Sequence, residues 1–294
     1  MMTDEMQEAG AGDRAFAWVQ ELLPKRFLSN TMHRFARSTR PAVSRTMIGS
    51  LLRAYPMIDM REAQQPDPYA YTSFNEFFTR ALAPGVRPVA SGQADVACPV
   101  DGTLSQAGKI TQGSLLQAKG VSYTAAALLA DLDAASRFAG GNFACLYLAP
   151  HNYHRIHMPL DGRLEATRYV PGQFFSVSAA TARAVPGLYA RNERVVCEFE
   201  TAFGPLAMVL VGAMFVGSIE TVYAGEINPP SVRGGGIRRI DAGIGSTFAK
   251  GDELGRFNMG STVIMLLGGD SGQFTLDKKP GAVVRMGERL GRAA

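Results

Sequence analysis

The spacing of apolar residues changes character about a third of the way along the chain. In "RAFAWVQELL" Phe16, Val19, Leu22 and Leu23 fall on one face of a helix that Pro24 stops. "VSRTMIGSLLRAY" repeats the pattern with Val43, Met47, Ile48, Leu51, Leu52 and Tyr55, against Arg45, Ser50 and Arg53 on the opposite side. In "SFNEFFTRAL" Ser73 and Glu76 predict a capping box ahead of Phe77, Phe78 and Leu82. From about residue 95 the pattern becomes short apolar runs broken by glycine: "DVACPVDGTLSQAGKI", "FACLYLAP", "RVVCEFET", "LAMVLVGAMFVGSIETVYAG", "STVIMLL" and "GAVVRM". Such runs predict strands. "TAAALLADL" (124–132) and "SAATARAV" (178–185) predict helical insertions among them. The fold class expected is α+β: a β-rich, sandwich- or barrel-like core over 91–294, preceded by short amphipathic helices over 1–90.

Two glycine-bounded fragments echo each other, "KGDELGRF" at 250–257 and "MGERLGRA" at 286–293. The echo is too short for a repeat, but it places Ser261 soon after a tight turn. At 294 residues the chain suits one large domain, or a core with an appended subdomain. The longest apolar run, 207–217, is too short for a bilayer and reads as a buried strand. "MMTDEMQEAG" is acidic and lacks the apolar core of a secretory signal.

Cys98, Cys145 and Cys197 are widely spaced and odd in number, which argues against a disulfide framework or a structural zinc site and fits a reducing compartment. The formal net charge of +4 is unevenly placed: residues 14–61 carry nine Arg or Lys against Glu21 and Asp59, a net of +7. A basic front on a near-neutral body implies an anionic partner. Short helices with apolar residues on one side and arginines on the other suit a membrane interface, although packing on the core would also explain them. No helix-turn-helix, RRM or zinc pattern supports nucleic acid.

Three of the four histidines, His151, His154 and His157, lie in "APHNYHRIHMP"; the fourth is His33. Strand alternation puts His151, Tyr153, Arg155 and His157 on one face and His154 on the other, unless Asn152 bends the chain. No Cys, Asp or Glu stands nearby at ligand spacing, so no metal site is expected. Asp101, in "PVDGTLSQAG", is a turn former or the acid that orients an imidazole. Ser261, in "GRFNMGSTVIML", is a turn serine or a reactive one, outside the G-x-S-x-G elbow.

Together, "SFNEFFTRALAPGVRPV", "PVDGTLSQAGKI", "YLAPHNYHRIHMPLDG", "PGQFFSVS" and "FNMGSTVIMLL" resemble, in order, the blocks of the phosphatidylserine decarboxylase proenzymes of the longer bacterial type. The resemblance runs from about Ser73 to Arg285. Met259 stands where the family's triplet is usually preceded by leucine, an apolar swap that leaves the chemistry intact. The resemblance implies self-cleavage at Gly260–Ser261 by attack of Ser261 Oγ on the Gly260 carbonyl, with His157 as base and Asp101 as its orienting acid. It implies chains 1–260 and 261–294 held as a heterodimer, higher assembly being left open, and a covalent pyruvoyl cofactor derived from Ser261. That group forms a Schiff base with phosphatidylserine and yields phosphatidylethanolamine, with His154 returning a proton to the substrate. The partner implied is an anionic phospholipid membrane, and the location a peripheral one on the cytoplasmic face of the bacterial membrane. Alternatives are a pyruvoyl decarboxylase for a free amino acid, a serine hydrolase built on Ser261, His157 and Asp101, and a carrier module using Lys250 or Lys109.

Overall fold

In the computed structural model the described residues are 9–118, 120–215, 218–231, 235–268 and 274–293. The acidic stretch read as lacking a signal falls mostly in residues 1–8, outside them, as do residues 216–217 of the long apolar run.

Every named strand lies at or beyond Asp95. The largest sheet is antiparallel, with strands in the order 238–239, 162–170, 194–201, 204–211, 262–267, 142–147, 102–109 and 283–284; strand 247–248 also pairs with 162–170. It does not close into a barrel. Strand Thr262–Leu267 occupies its middle, with Thr262 opposite both Val211 and Tyr147 and every residue buried. Burial on both faces explains why "TVIMLL" reads as a continuous apolar run without alternation. Val263, Met265 and Leu267 enter one core with Leu104, Leu146 and Met208, while Ile264 and Leu266 enter another with Phe143 and Val209.

A second sheet, ordered 225–226, 218–221, 253–258 and 155–157, carries the end of the histidine segment on strand Arg155–His157. Strand Glu253–Asn258 passes from this sheet through residues 259–261 into the centre of the large one. The echoing fragments each begin at a turn, with Gly251 at φ +92° and Gly287 at φ +85°. A Cβ on Gly251 would meet Val89, and one on Gly287 would meet Pro88 and Val89. The two turns therefore grip the same Pro88–Val89 segment, and only glycine fits both the backbone angle and the approach.

Four helices precede the strands: α1 (Ala11–Leu22), α2 (Lys25–Ala36), α3 (Pro41–Ala54) and α4 (Phe74–Phe78). Helix α2 is missing from the expected elements although Phe27, Leu28, Met32 and Phe35 recur at helical spacing; its buried positions are Lys25, Ser29 and Ala36. Helix α4 is shorter than the apolar run suggests, and Leu82 falls beyond it, in a bridge to Ala63. Half of its expected capping box is present: Ser73 Oγ accepts from the Glu76 N–H at 3.1 Å. The Glu76 carboxylate accepts instead from the Thr72 N–H at 2.7 Å. Phe74, Phe77 and Phe78 form a small core with Ile48 of α3, and Met259 packs against it.

Helix α1 is turned opposite to what a core-packing helix would require. Its buried positions are Ala17 and Gln20. Gln20 donates to Thr181 Oγ1 at 3.1 Å and accepts from the Ser176 N–H at 2.8 Å. Asp13 accepts from Arg183 at 2.8 Å. Polar groups hold the helix down, and its apolar face looks outward. Of the expected insertions, helices Ala125–Leu129 and Ala179–Ala184 are present.

Candidate active site

Ser261 is the last residue of the crossing between the two sheets, and it is buried. Its carbonyl accepts from the Leu148 N–H at 2.8 Å, and its hydroxyl donates a short hydrogen bond to the Val211 carbonyl. On the upstream side Asn258 is fixed: its amide donates to Ser218 Oγ at 2.9 Å, and its Oδ1 accepts from Asn75 of α4 at 3.0 Å. Between these anchors Met259 is held at φ +88°. A side chain there costs about 1–3 kcal/mol, so the segment leading to Gly260–Ser261 stores strain.

A bend at Asn152 does break the alternation of the histidine segment. Asn152 Oδ1 accepts from the Ala149 N–H at 2.8 Å, and regular strand begins only at Arg155. The bend carries His154 into the interior, where its ring lies 4.0 Å from that of Phe78, centroid to centroid. His154 Nδ1 donates to the Asn152 carbonyl at 2.8 Å, which leaves Nε2 as the unprotonated nitrogen. That Nε2 is buried without a hydrogen-bond partner, and it lies 3.5 Å from where a Cβ on Gly260 would stand. Burial, reinforced by the charge of nearby Arg80, drives the His154 imidazole down to about 3.

Unfolding returns His154 to an ordinary pKa near 6.5, so the unfolded chain binds more protons between pH 6.5 and 3. Stability from the neutral ring is fully present above pH 6.5 and drains as pH falls towards 3, at up to about 1.4 kcal/mol per pH unit. Urea melts in the uncut Ser261→Ala chain, which refolds, should therefore show His154→Gln losing less stability than the same chain with His154 between pH 7 and 5. Equal losses would remove His154 from the acid limb.

His157 is occupied differently. Its Nδ1 donates to the Gly251 carbonyl at 2.8 Å and its Nε2 accepts from Tyr153 OH at 3.0 Å. Its main-chain N–H donates to the Pro99 carbonyl at 2.9 Å, which holds it near Asp101. The Asp101 carboxylate accepts from Arg87 at 3.1 and 2.7 Å and from the Met286 N–H at 2.8 Å. Arg87 also pairs with Glu62 at 2.7 Å. The structure thus brings His154 to Gly260, keeps Asp101 and His157 in one neighbourhood without a direct hydrogen bond, and separates both rings of hydrogen bonds from the Ser261 hydroxyl. The His151 ring lies tilted against that of Tyr55 at 5.6 Å, and His33 Nε2 donates to the Glu226 carboxylate at 2.9 Å. Among the described residues no cluster could hold a metal ion, and Cys98, Cys145 and Cys197 are buried and form no disulfide.

A cavity of about 360 Å³ opens beside Gly260 and Ser261, walled by Leu51 and Tyr55 of α3, Phe74 and Phe78 of α4, and Phe215. Charged side chains are absent from its described lining. A second cavity, of about 350 Å³, lies on the other side of the histidine loop and is bordered by Arg80, Arg87, Asp101, Asn152 and Tyr153. Arg80, Arg87 and Tyr153 carried no signal in the sequence beyond their place inside the family blocks, because their importance comes from burial.

A family model described as phosphatidylserine decarboxylase matches residues 74–292, and a second, described as PSD, matches 15–56. The phosphatidylserine decarboxylase proenzyme of Shewanella frigidimarina is 49% identical over 282 residues, covering 93% of this chain and 96% of the relative. Those of Delftia acidovorans and Variovorax paradoxus are each 50% identical, covering 95% and 96% of this chain and 97% and 99% of the relatives. The chain belongs to the phosphatidylserine decarboxylase family.

Proposed function

We propose that this chain is a proenzyme that cuts itself between Gly260 and Ser261 and then decarboxylates phosphatidylserine. The observation that carries the reading is the scissile pair itself: a buried serine behind a strained residue, an unpartnered imidazole nitrogen at Gly260, and an apolar cavity alongside. Rotation of Ser261 Oγ away from Val211 brings it towards the Gly260 carbonyl carbon, and attack turns the amide into an ester. Loss of the Ser261 Cα proton then breaks the Cβ–O bond, freeing Gly260 as a carboxylate. The dehydroalanine left at residue 261 tautomerises to an imine, takes up water and loses ammonia to become a pyruvoyl group, which supplies an electron sink for the carbon–carbon bond that breaks. The surroundings fit such a group: they are dry, apolar and overlooked by one neutral imidazole.

His154 Nε2 is placed to take a proton from the substrate amine and return one to its α-carbon. Phe78 against the ring fixes its plane, and the Asn152 carbonyl fixes its tautomer. His157 and Asp101 are proposed to serve the cutting step, His157 by tying strand 155–157 to the turn that leads into strand 253–258. A hydrolase using Ser261 on an external ester is disfavoured, because the hydroxyl faces Val211 O with no histidine at hydrogen-bond distance. The reading is tested by the intact mass of the purified wild-type chain under denaturing conditions. Fragments 1–260 and 261–294, the second with a carbonyl at its start, are expected; a single uncut chain overturns the proposal.

The lipid substrate is supported by the outward apolar faces of α1 and α2. Trp18 (64% exposed), Leu22 (67%) and Phe27 (68%) stand out from α1 and α2 with Phe16, Val19 and Phe35. Exposed Arg26, Arg34, Arg40, Arg45 and Arg53 make no ion pair among the described residues. Ser29 of α2 accepts from the N–H of Phe215, which lines the cavity, so the apolar helices and the mouth are physically joined. No described helix is long and apolar enough to cross a membrane. We place the protein on an anionic bilayer through α1 and α2, as a peripheral membrane protein on the cytoplasmic face. The double change Trp18→Glu and Phe27→Glu should lower flotation with phosphatidylserine vesicles by tenfold or more, on the order expected for two lost aromatic anchors. Unchanged flotation would remove these helices from the contact.

A further inference from the structure

Arg80 follows α4 by two residues, is 6% exposed, and makes no ion pair among the described residues. Among the described residues its side chain makes one hydrogen bond, a long one of 3.5 Å to the carbonyl of Phe77, over whose ring it also sits at 5.3 Å. The carboxylates nearest to it, Asp101 and Glu62, are both taken by Arg87. A buried cation left without a counter-charge is costly. Burial accordingly pushes the Arg80 guanidinium below the usual arginine value. The side chain borders the second cavity, behind the histidine loop, and it acts electrostatically on His154. A site of this kind, already desolvated, is made for an oxyanion.

Resting on the self-cleavage reading above, we propose that Arg80 is the receptor for the Gly260 carboxylate that cleavage creates. The cut end has one route. Asn258 stays pinned to Asn75 of α4 and to Ser218, so only Met259 and Gly260 are free to swing, a reach of roughly 7 Å for two extended residues. Asn75 and Arg80 are five residues apart on and just after the same short helix, about 7–8 Å at helical rise. The anchor of the tether at Asn75 and the backbone of Arg80 are thus separated by about the length of the two residues free to swing. Met259 already packs on the phenylalanine core of α4, and its release from φ +88° favours the move. Docking withdraws the new chain end from the mouth of the substrate cavity, which Met259 and Gly260 line before the cut.

The test is carboxypeptidase digestion of the processed two-chain protein in its native state, read by mass. In the wild type the 1–260 chain should keep Gly260 and Met259. In Arg80→Met those residues should be trimmed at least tenfold faster, with Arg80→Lys in between, because a lysine keeps the charge and loses the fork. A wild-type end that is trimmed as fast as that of a folded, processed Arg80→Met overturns the proposal; so does one trimmed as fast as in the unfolded wild-type protein, a comparison that needs no variant to fold. A wild-type chain that never cuts sinks the parent reading instead, since no end exists to digest. A crystal structure of the processed protein with the Gly260 carboxylate away from Arg80 would also overturn it.

Discussion

Ser261→Ala is expected to leave one chain of 31.5 kDa with no detectable decarboxylation, where the wild type gives two fragments. The change removes both the attacking oxygen and the atom through which the upstream carboxylate must leave. Neither step can be rescued by a neighbour. Thr262, the next hydroxyl, belongs to the ladder between Val211 and Tyr147. The structural cost is small: one hydrogen bond to the Val211 carbonyl is lost, worth about 1 kcal/mol. The variant should therefore be folded and uncut, which separates failed chemistry from failed folding. Circular dichroism establishes the fold, and denaturing mass spectrometry counts the chains. Cleavage at the same bond in Ser261→Ala would show that another group attacks, and the cofactor assignment would fall with it.

For His154→Gln the expected result is a chain that is eventually cut but turns over 10²- to 10⁴-fold more slowly, the range for a missing proton-transfer group. Cutting happens once per molecule and has hours in which to finish. Turnover must repeat, so it exposes the loss. Gln fills a similar volume and preserves a hydrogen bond to the Asn152 carbonyl, so packing against Phe78 largely survives. His157→Ala is expected to do the reverse and accumulate precursor. It releases the Tyr153 hydroxyl and the Gly251 carbonyl together, loosening the turn that aims strand 253–258 at the scissile bond. Time courses of cutting and rates of turnover in the two variants decide the matter. Normal turnover in His154→Gln would take that residue out of proton transfer. Normal cutting in His157→Ala would reduce it to a structural clasp.

Much of this architecture is legible in the sequence where burial and period agree. The strand 262–267 is buried at every position and apolar after Thr262 because both of its faces are covered. The histidine cluster and the Gly-Ser-Thr triplet are visible as residue types and become specific only in combination. What the sequence does not disclose is direction. Phe16, Val19 and Leu22 form an apolar face on paper, yet nothing local says that Gln20 and Asp13 will hold the opposite face to the protein. Helix α2 shows the same inversion: Phe27 and Phe35 are exposed while Lys25, Ser29 and Ala36 are buried. Within the site, Arg80 and Arg87 look alike in a string of letters. Only the fold shows that one has two carboxylates and the other has none.

The position of strand 262–267 bears on how long such a protein lasts. Once the chain is cut as proposed, a strand that folded as a covalent part of it becomes a separate peptide in the middle of the largest sheet, laddered on both edges. Global unfolding then ejects it into solution, and recovery becomes a bimolecular search by a chain missing its innermost strand. Folding information for the mature form resides in a precursor that no longer exists. Persistence is accordingly governed by the height of the unfolding barrier and not by an equilibrium. Thermal inactivation should be irreversible and scan-rate dependent for the processed protein, while the uncut Ser261→Ala chain recovers its structure on cooling.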